Sequence, residues 1–164
     1  MCDGASLDEM RFSLHAKIER FGWALQYVSD GRTARSWCYT VGLAGFDHPE
    51  LVVVGLEAKA AAGLLNAIGG SIRAGERLNQ GEHVVDEDGR EFHLSQVHSA
   101  HFARGLFAVW VDYYKALGRH PIQAAFEVVP PGRLPRLERA SSPIGAPADH
   151  HPPRRRRPNR RRGR

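Results

Sequence analysis

Between Gly42 and Glu50 the chain reads GLAGFDHPE, and this short stretch collects the residue types that could do chemistry. Asp47, His48 and Glu50 are titratable and nearly adjacent, and imidazole beside carboxylate is the usual material of general acid–base work. Gly42 and Gly45 would let a backbone come close to a ligand. Just upstream, Tyr39 and Thr40 carry hydroxyls, although alternation along a strand sends them to opposite faces. Three readings of this stretch stay open. It is a binding loop for a small ligand or a protein partner, a small acid–base site built on His48 with Asp47 or Glu50, or a stiff turn. In the last case Asp47 accepts local backbone bonds, Pro49 stiffens strand entry and Glu50 is solvated.

The flanks explain why the loop is singled out. Trp37–Leu43 and Leu51–Leu56 both read as strands, and Leu51-Val52-Val53-Val54 is continuously apolar, as in a central strand covered on both faces. Rigid flanks of this kind commonly hold functional loops. The connection is too short for a packed crossover, so the Leu51 strand is expected antiparallel to the Trp37 strand or not beside it.

Around this centre the chain is read as α-β-β-β-α-β-β-α-β. Ser6 and Glu9 have capping-box spacing, Met10, Leu14 and Ile18 form one apolar face, and Gly22 stands where a left-handed terminator belongs. That predicts a helix over about 7–20. Trp23–Val28 pairs with the Trp37 strand after the turn residues Ser29-Asp30-Gly31. A helix over 57–73 follows, weakened by Gly63, Gly69 and Gly70. Val84-Val85 and Glu91–Leu94 flank an Asp88-Gly89 turn. A helix capped by Ser99 carries Phe102, Leu106, Trp110, Tyr113 and Leu117 and ends at Gly118, and a last strand covers Ile122–Val129. The fold class is α+β, a largely antiparallel sheet with helices packed on it. We expect a single domain over 1–136, followed by a disordered Pro/Arg-rich tail over 137–164 that has too little apolar surface to fold.

Charge separates the same two parts. The net charge is +5, but the eight arginines after His150 face no acid, which leaves −3 on residues 1–149. Arg154, Arg155, Arg156, Arg157, Arg160, Arg161, Arg162 and Arg164 could contact nucleic acid or another polyanion without sequence preference. No aromatic is interleaved to stack on bases. A purely solubilising tail is the alternative.

Other candidates are weaker. Cys38 is a nucleophile only if its pKa is lowered, and mid-strand it reads as a small buried residue. His93, His98 and His101 match no metal-ligand spacing, so no metal site is assigned. No Gly-x-Gly-x-x-Gly, phosphate-binding loop, His-Glu-x-x-His or Gly-x-Ser-x-Gly occurs, and no cofactor is expected. No apolar run is long enough to span a membrane. With two cysteines and a polar N-terminus, a cytoplasmic setting is expected.

Several stretches together carry a resemblance. Tyr39-Thr40-Val41-Gly42-Leu43, His48-Pro49-Glu50-Leu51, Val54-Gly55-Leu56 and Leu64-Leu65-Asn66, with Gln123, Pro130 and Gly132-Arg133-Leu134-Pro135, resemble the bacterial domain of unknown function 4262 family. The likeness covers about residues 20–135. In its closing segment that family tends to carry Trp, Asp and Trp where this chain has Val129, Pro131 and Arg136. The resemblance implies a common fold and names no activity. The function expected is therefore non-catalytic binding of a partner or small ligand at the Gly42–Glu50 end of the sheet.

Overall fold

The computed structural model describes residues 6–119 and 124–141. Arg154, Arg155, Arg156, Arg157, Arg160, Arg161, Arg162 and Arg164, together with Cys2, Ile122 and Gln123, lie outside the described residues. Ten regular elements follow in order: α1 (Leu7–Phe21), β1 (Ala24–Val28), β2 (Trp37–Val41), β3 (Glu50–Val54), α2 (Ala58–Arg73), β4 (His83–Val85), β5 (Glu91–Gln96), α3 (Ala100–Ala103), α4 (Ala108–Ala116) and β6 (Ala125–Val129). Short 3₁₀ turns at Thr33–Arg35 and Leu43–Phe46 bracket β2.

The strands form one sheet in the order β1-β2-β3-β6-β5-β4. Every pair is antiparallel except β3 with β6, which run parallel. The fold is thus the expected α+β arrangement. β2 and β3 are antiparallel neighbours, and every residue of β3 is buried. Apolar alternation gives each face its own core. On one face Tyr39, Val41, Val52 and Val54 pack with α1 and α4 through Leu14, Phe107, Trp110 and Tyr114. On the other, Cys38, Leu51 and Val53 pack under α2 through Ala61, Leu65, Ile68 and Ile72. Among the described residues no helix is long and apolar enough to cross a membrane.

Local signals hold where they are self-contained. Ser6 and Glu9 form the capping box with both bonds present, and Gly22 ends α1 in the left-handed region at φ 95°. Gly69 is no mere weak point of α2. A Cβ there would stand 2.8 Å from the Trp23 ring, so the missing side chain lets the indole lie on the helix.

One expectation needs correction. The single helix expected after Ser99 is two, α3 and α4, separated by Gly105 at φ 81°. Ser99 gives no side-chain cap, and the Ala100 N–H donates to His98 Nδ1 instead. The break turns both Phe102 and Phe107 into the core, ring centres 4.8 Å apart, which one straight helix would not allow. Beyond residue 136, individual contacts continue. Leu137 is fully buried, its N–H donates to Glu127, its carbonyl accepts the His98 N–H, and Arg104 donates to the Ala140 carbonyl.

Candidate functional site

The loop between β2 and β3 is shaped by its own backbone before any side chain acts. Gly42 stands at φ 126°, and a Cβ there would meet the Gly22 carbonyl at 2.7 Å and Trp23 Cα at 2.9 Å. The glycine therefore admits a neighbouring segment of the chain. The 3₁₀ turn Leu43–Phe46 follows and ends on Asp47 in the left-handed region, φ 57°. This path points three successive N–H groups inward.

Glu50 receives them. Its Oε1 accepts from the Gly42 N–H at 2.9 Å, the Ala44 N–H at 3.4 Å and the Tyr114 hydroxyl at 3.4 Å. Its Oε2 accepts from the Thr40 hydroxyl at 2.6 Å and the Leu43 N–H at 3.2 Å. Thr40 Oγ1 in turn accepts the Leu51 N–H at 2.8 Å. Glu50 is 1% exposed, so the solvated carboxylate of the turn reading is not what forms. Burial pushes its pKa up to about 7, and the Thr40 hydroxyl and the three N–H donors restrain that rise.

His48 is buried beside it and fully engaged. The Leu78 N–H donates to Nε2 at 3.3 Å, and Nδ1 lies 2.7 Å from the Pro49 carbonyl. A carbonyl needs a proton opposite it and an N–H needs a lone pair, which fixes the neutral tautomer protonated at Nδ1. The ring also stands edge-on to Phe126, centres 6.2 Å apart. Neither nitrogen is left for a substrate.

The other expected residues separate. Asp47 extends into solvent, with its nearest cation, Arg77, at 4.0 Å. Tyr39 faces α4, where its hydroxyl accepts the Val109 N–H at 3.3 Å, and burial raises its pKa to about 12. Thus Thr40, Gly42, His48 and Glu50 come together, Asp47 rims them and Tyr39 does not join. Burial also lifts Cys38 to about 11, which keeps it a thiol at neutral pH.

The histidines considered for metal diverge. His101 Nε2 donates to the Arg139 carbonyl, His98 accepts from Ala100, and His93 lies beside His83. Among the described residues no three His, Cys, Asp or Glu side chains are grouped to hold a metal ion.

Three groups went unforeseen. Tyr114 supplies a donor to Glu50 from α4, and Trp110 lines a cleft of about 120 Å3 with Ala44, Asp47, His48, Pro49, Glu50 and Ala124. Glu127, 2% exposed in β6, is a second buried carboxylate. It accepts the Arg136 and Leu137 N–H groups at 2.8 Å, and burial raises its pKa. A charged residue inside the run Ala125-Phe126-Glu127-Val128-Val129 was the available signal for it.

Residues 17–135 match the family described as a domain of unknown function (DUF4262). The chain belongs to that family. No curated protein and no solved structure matches it. Within this DUF4262 domain, both the Glu50 clamp and the Glu127 strand fall inside the matched span.

Proposed function

We propose that this DUF4262 domain is a non-catalytic binding module. Its Gly42–Glu50 end would receive a hydrogen-bond acceptor from a small ligand or from a partner's side chain. One observation carries the reading. Of the three indoles, Trp23 donates to Asn66 Oδ1 and Trp37 to the Leu106 carbonyl, each at 3.0 Å. Trp110 is 1% exposed, borders the cleft and, among the described residues, has no acceptor for its Nε1–H. A buried donor left unpaired costs on the order of 1–3 kcal/mol, and because this N–H is closed to solvent, a carbonyl or carboxylate oxygen entering the cleft recovers part of that cost only as the cleft wall shifts to admit it.

Size sets what can enter. At about 120 Å3 the cleft is well below the roughly 300 Å3 at which metabolite pockets begin. It suits one group of a larger molecule. Catalysis has less support, because His48 has both nitrogens bonded, Glu50 already accepts five donors and Asp47 stands in solvent. A general base needs a free lone pair within reach of the proton it takes.

Nuclear magnetic resonance of the ¹⁵N-labelled protein tests this, with acetamide as the probe and the Trp110 indole signal assigned through Trp110→Phe. Acetamide should move that signal and leave those of Trp23 and Trp37 in place. No movement, or equal movement of all three, would remove the basis for binding here. A turnover reduced by about a hundredfold or more in a folded His48→Ala variant would put catalysis in its place.

A further inference from the structure

The opposite end of the sheet has a larger opening with a different chemistry. β3 and β6 are parallel neighbours, and the chain leaves their carboxyl ends toward opposite faces. After β3 it enters α2, which packs on Leu51 and Val53. After β6 it runs through 130–136 to Leu137, which packs with Val52 and Val54. Diverging connections at the carboxyl ends of adjacent parallel strands open a crevice, and open α/β sheets hold ligands at such points. Here the crevice measures about 590 Å3, inside the range of about 300–1,000 Å3 usual for small-molecule sites.

Its lining has an apolar part and two charged sides. Leu56, Leu64, Phe92 and Pro130 supply apolar surface. The α2 side is kept low at Gly63, where an added Cβ would meet nothing within 4 Å. On one side Arg133 borders the crevice and donates Nη1–H to the Gly55 carbonyl at 3.1 Å. Arg136 converges on the same glycine: a Cβ on Gly55 would lie 3.0 Å from Arg133 Nη1 and 3.6 Å from Arg136 Nη1. Among the described residues neither guanidinium has a carboxylate within ion-pair distance, although the charge of Arg136 acts on Glu127; both guanidinium groups bond backbone carbonyls. The facing hairpin differs. Its Arg90 is paired with Asp86 at 2.7 Å and Asp88 at 3.3 Å, which already leaves an excess negative charge, and Glu87 adds to it.

We propose that this crevice binds a small amphiphilic anion. Its oxyanion head, carboxylate or phosphate, pairs with Arg133, and its apolar body lies on Leu56, Leu64, Phe92 and Pro130. A guanidinium has five N–H donors, so the bond to Gly55 leaves donors for a two-pronged contact with such a head. The acidic hairpin confines negative charge to the head. It favours a neutral or cationic far end and disfavours polyphosphates. The site is separate from the Trp110 cleft and does not depend on it.

The test uses the full chain, ¹⁵N-labelled, at physiological ionic strength, with benzoate, phenyl phosphate and benzyl alcohol as probes. Benzoate and phenyl phosphate should shift the amide signals of Gly63, Ala67 and Asp88, and the tighter of the two identifies the head group. Arg133→Ala should weaken both by about tenfold or more, the loss expected for a charge-assisted contact. The arginine-rich tail is present in both proteins, so its own anion binding cancels in that comparison. Gly63→Leu, which fills the crevice from an exposed helix position, should abolish the shifts while the fold persists. Binding unchanged in Arg133→Ala, benzyl alcohol binding as tightly as benzoate, or no shift with any probe would each overturn the proposal.

Discussion

The Thr40 hydroxyl donates to Glu50 Oε2 at 2.6 Å while accepting the Leu51 N–H at 2.8 Å, which ties the end of β2 to the start of β3 through one side chain. Glu50 extends that tie to the loop backbone and to α4. Glu127 does the same for the closing segment, binding the Arg136 and Leu137 N–H groups. The two buried carboxylates of the central strands thus organise two loops by accepting their backbone donors. Such a carboxylate avoids leaving N–H groups unpaired in the core, at the cost of desolvating a charge.

That cost makes stability depend on pH. Glu50 has its pKa raised from an ordinary 4.5 to about 7, with burial as the main cause. Between those values the folded state holds a proton that the unfolded state has released, so the Glu50 contribution to stability is fully present below about 4.5 and is lost as pH rises through 7. The full effect is on the order of 3 kcal/mol at about 1.4 kcal/mol per pKa unit. Glu127 is shifted in the same direction, so the diagnostic is a difference. Urea midpoints measured across this window should decline in the wild type and decline less in Glu50→Gln. Parallel curves for the two proteins would show that Glu50 does not titrate there.

What the sequence could disclose follows the range of the forces involved. α1 was legible because Ser6, Glu9 and Gly22 act within a few residues of the helix they bound. The β2 and β3 strands were legible from apolar runs, and the grouping of Thr40, Gly42, His48 and Glu50 at one sheet end from adjacency. The burial of Glu50 was not, because its donors depend on the loop's backbone path and on Tyr114, 64 residues further along. The α3–α4 break was hidden for a related reason. Phe102, Leu106, Trp110 and Tyr113 keep helical spacing across it, and only the packing of Phe107 against Tyr39 and Trp110 explains why Gly105 turns the chain.

Helix propensity and packing make opposite demands at the adjacent glycines of α2, which gives a test with its own control. Alanine in place of an exposed helical glycine should stabilise by about 0.5–1 kcal/mol. Gly70, with open space around its Cβ position, should follow that rule. Gly69→Ala should instead destabilise by about 1–3 kcal/mol, because its methyl would press on the Trp23 ring at 2.8 Å and on a second ring atom at the same distance. Thermal denaturation of the two single variants decides it. Equal stabilisation in both would mean the Trp23 indole moves aside freely. Loss of the Trp23 bond to Asn66 should accompany the expected strain, visible as a shift of that indole signal.

The domain boundary can be tested at Leu137. Composition places the end of the folded part at 136, since Pro, Ser, Ala and Arg dominate beyond it. Leu137 is nevertheless fully buried beside Val52 and Val54, and its N–H completes the set held by Glu127. Leu137→Ala keeps the backbone bonds and removes only the packed side chain, so it should cost about 2–5 kcal/mol, as for other buried leucines. Ending the chain after Arg136 should cost more, because Glu127 then loses a donor while remaining buried. Glu138 and Arg139 are exposed, and alanine at either should stay within about 0.5 kcal/mol of the wild type. Urea denaturation of these variants gives the ordering. A Leu137→Ala midpoint equal to that of Glu138→Ala would return the boundary to 136, whereas the expected order makes the closing segment part of the core.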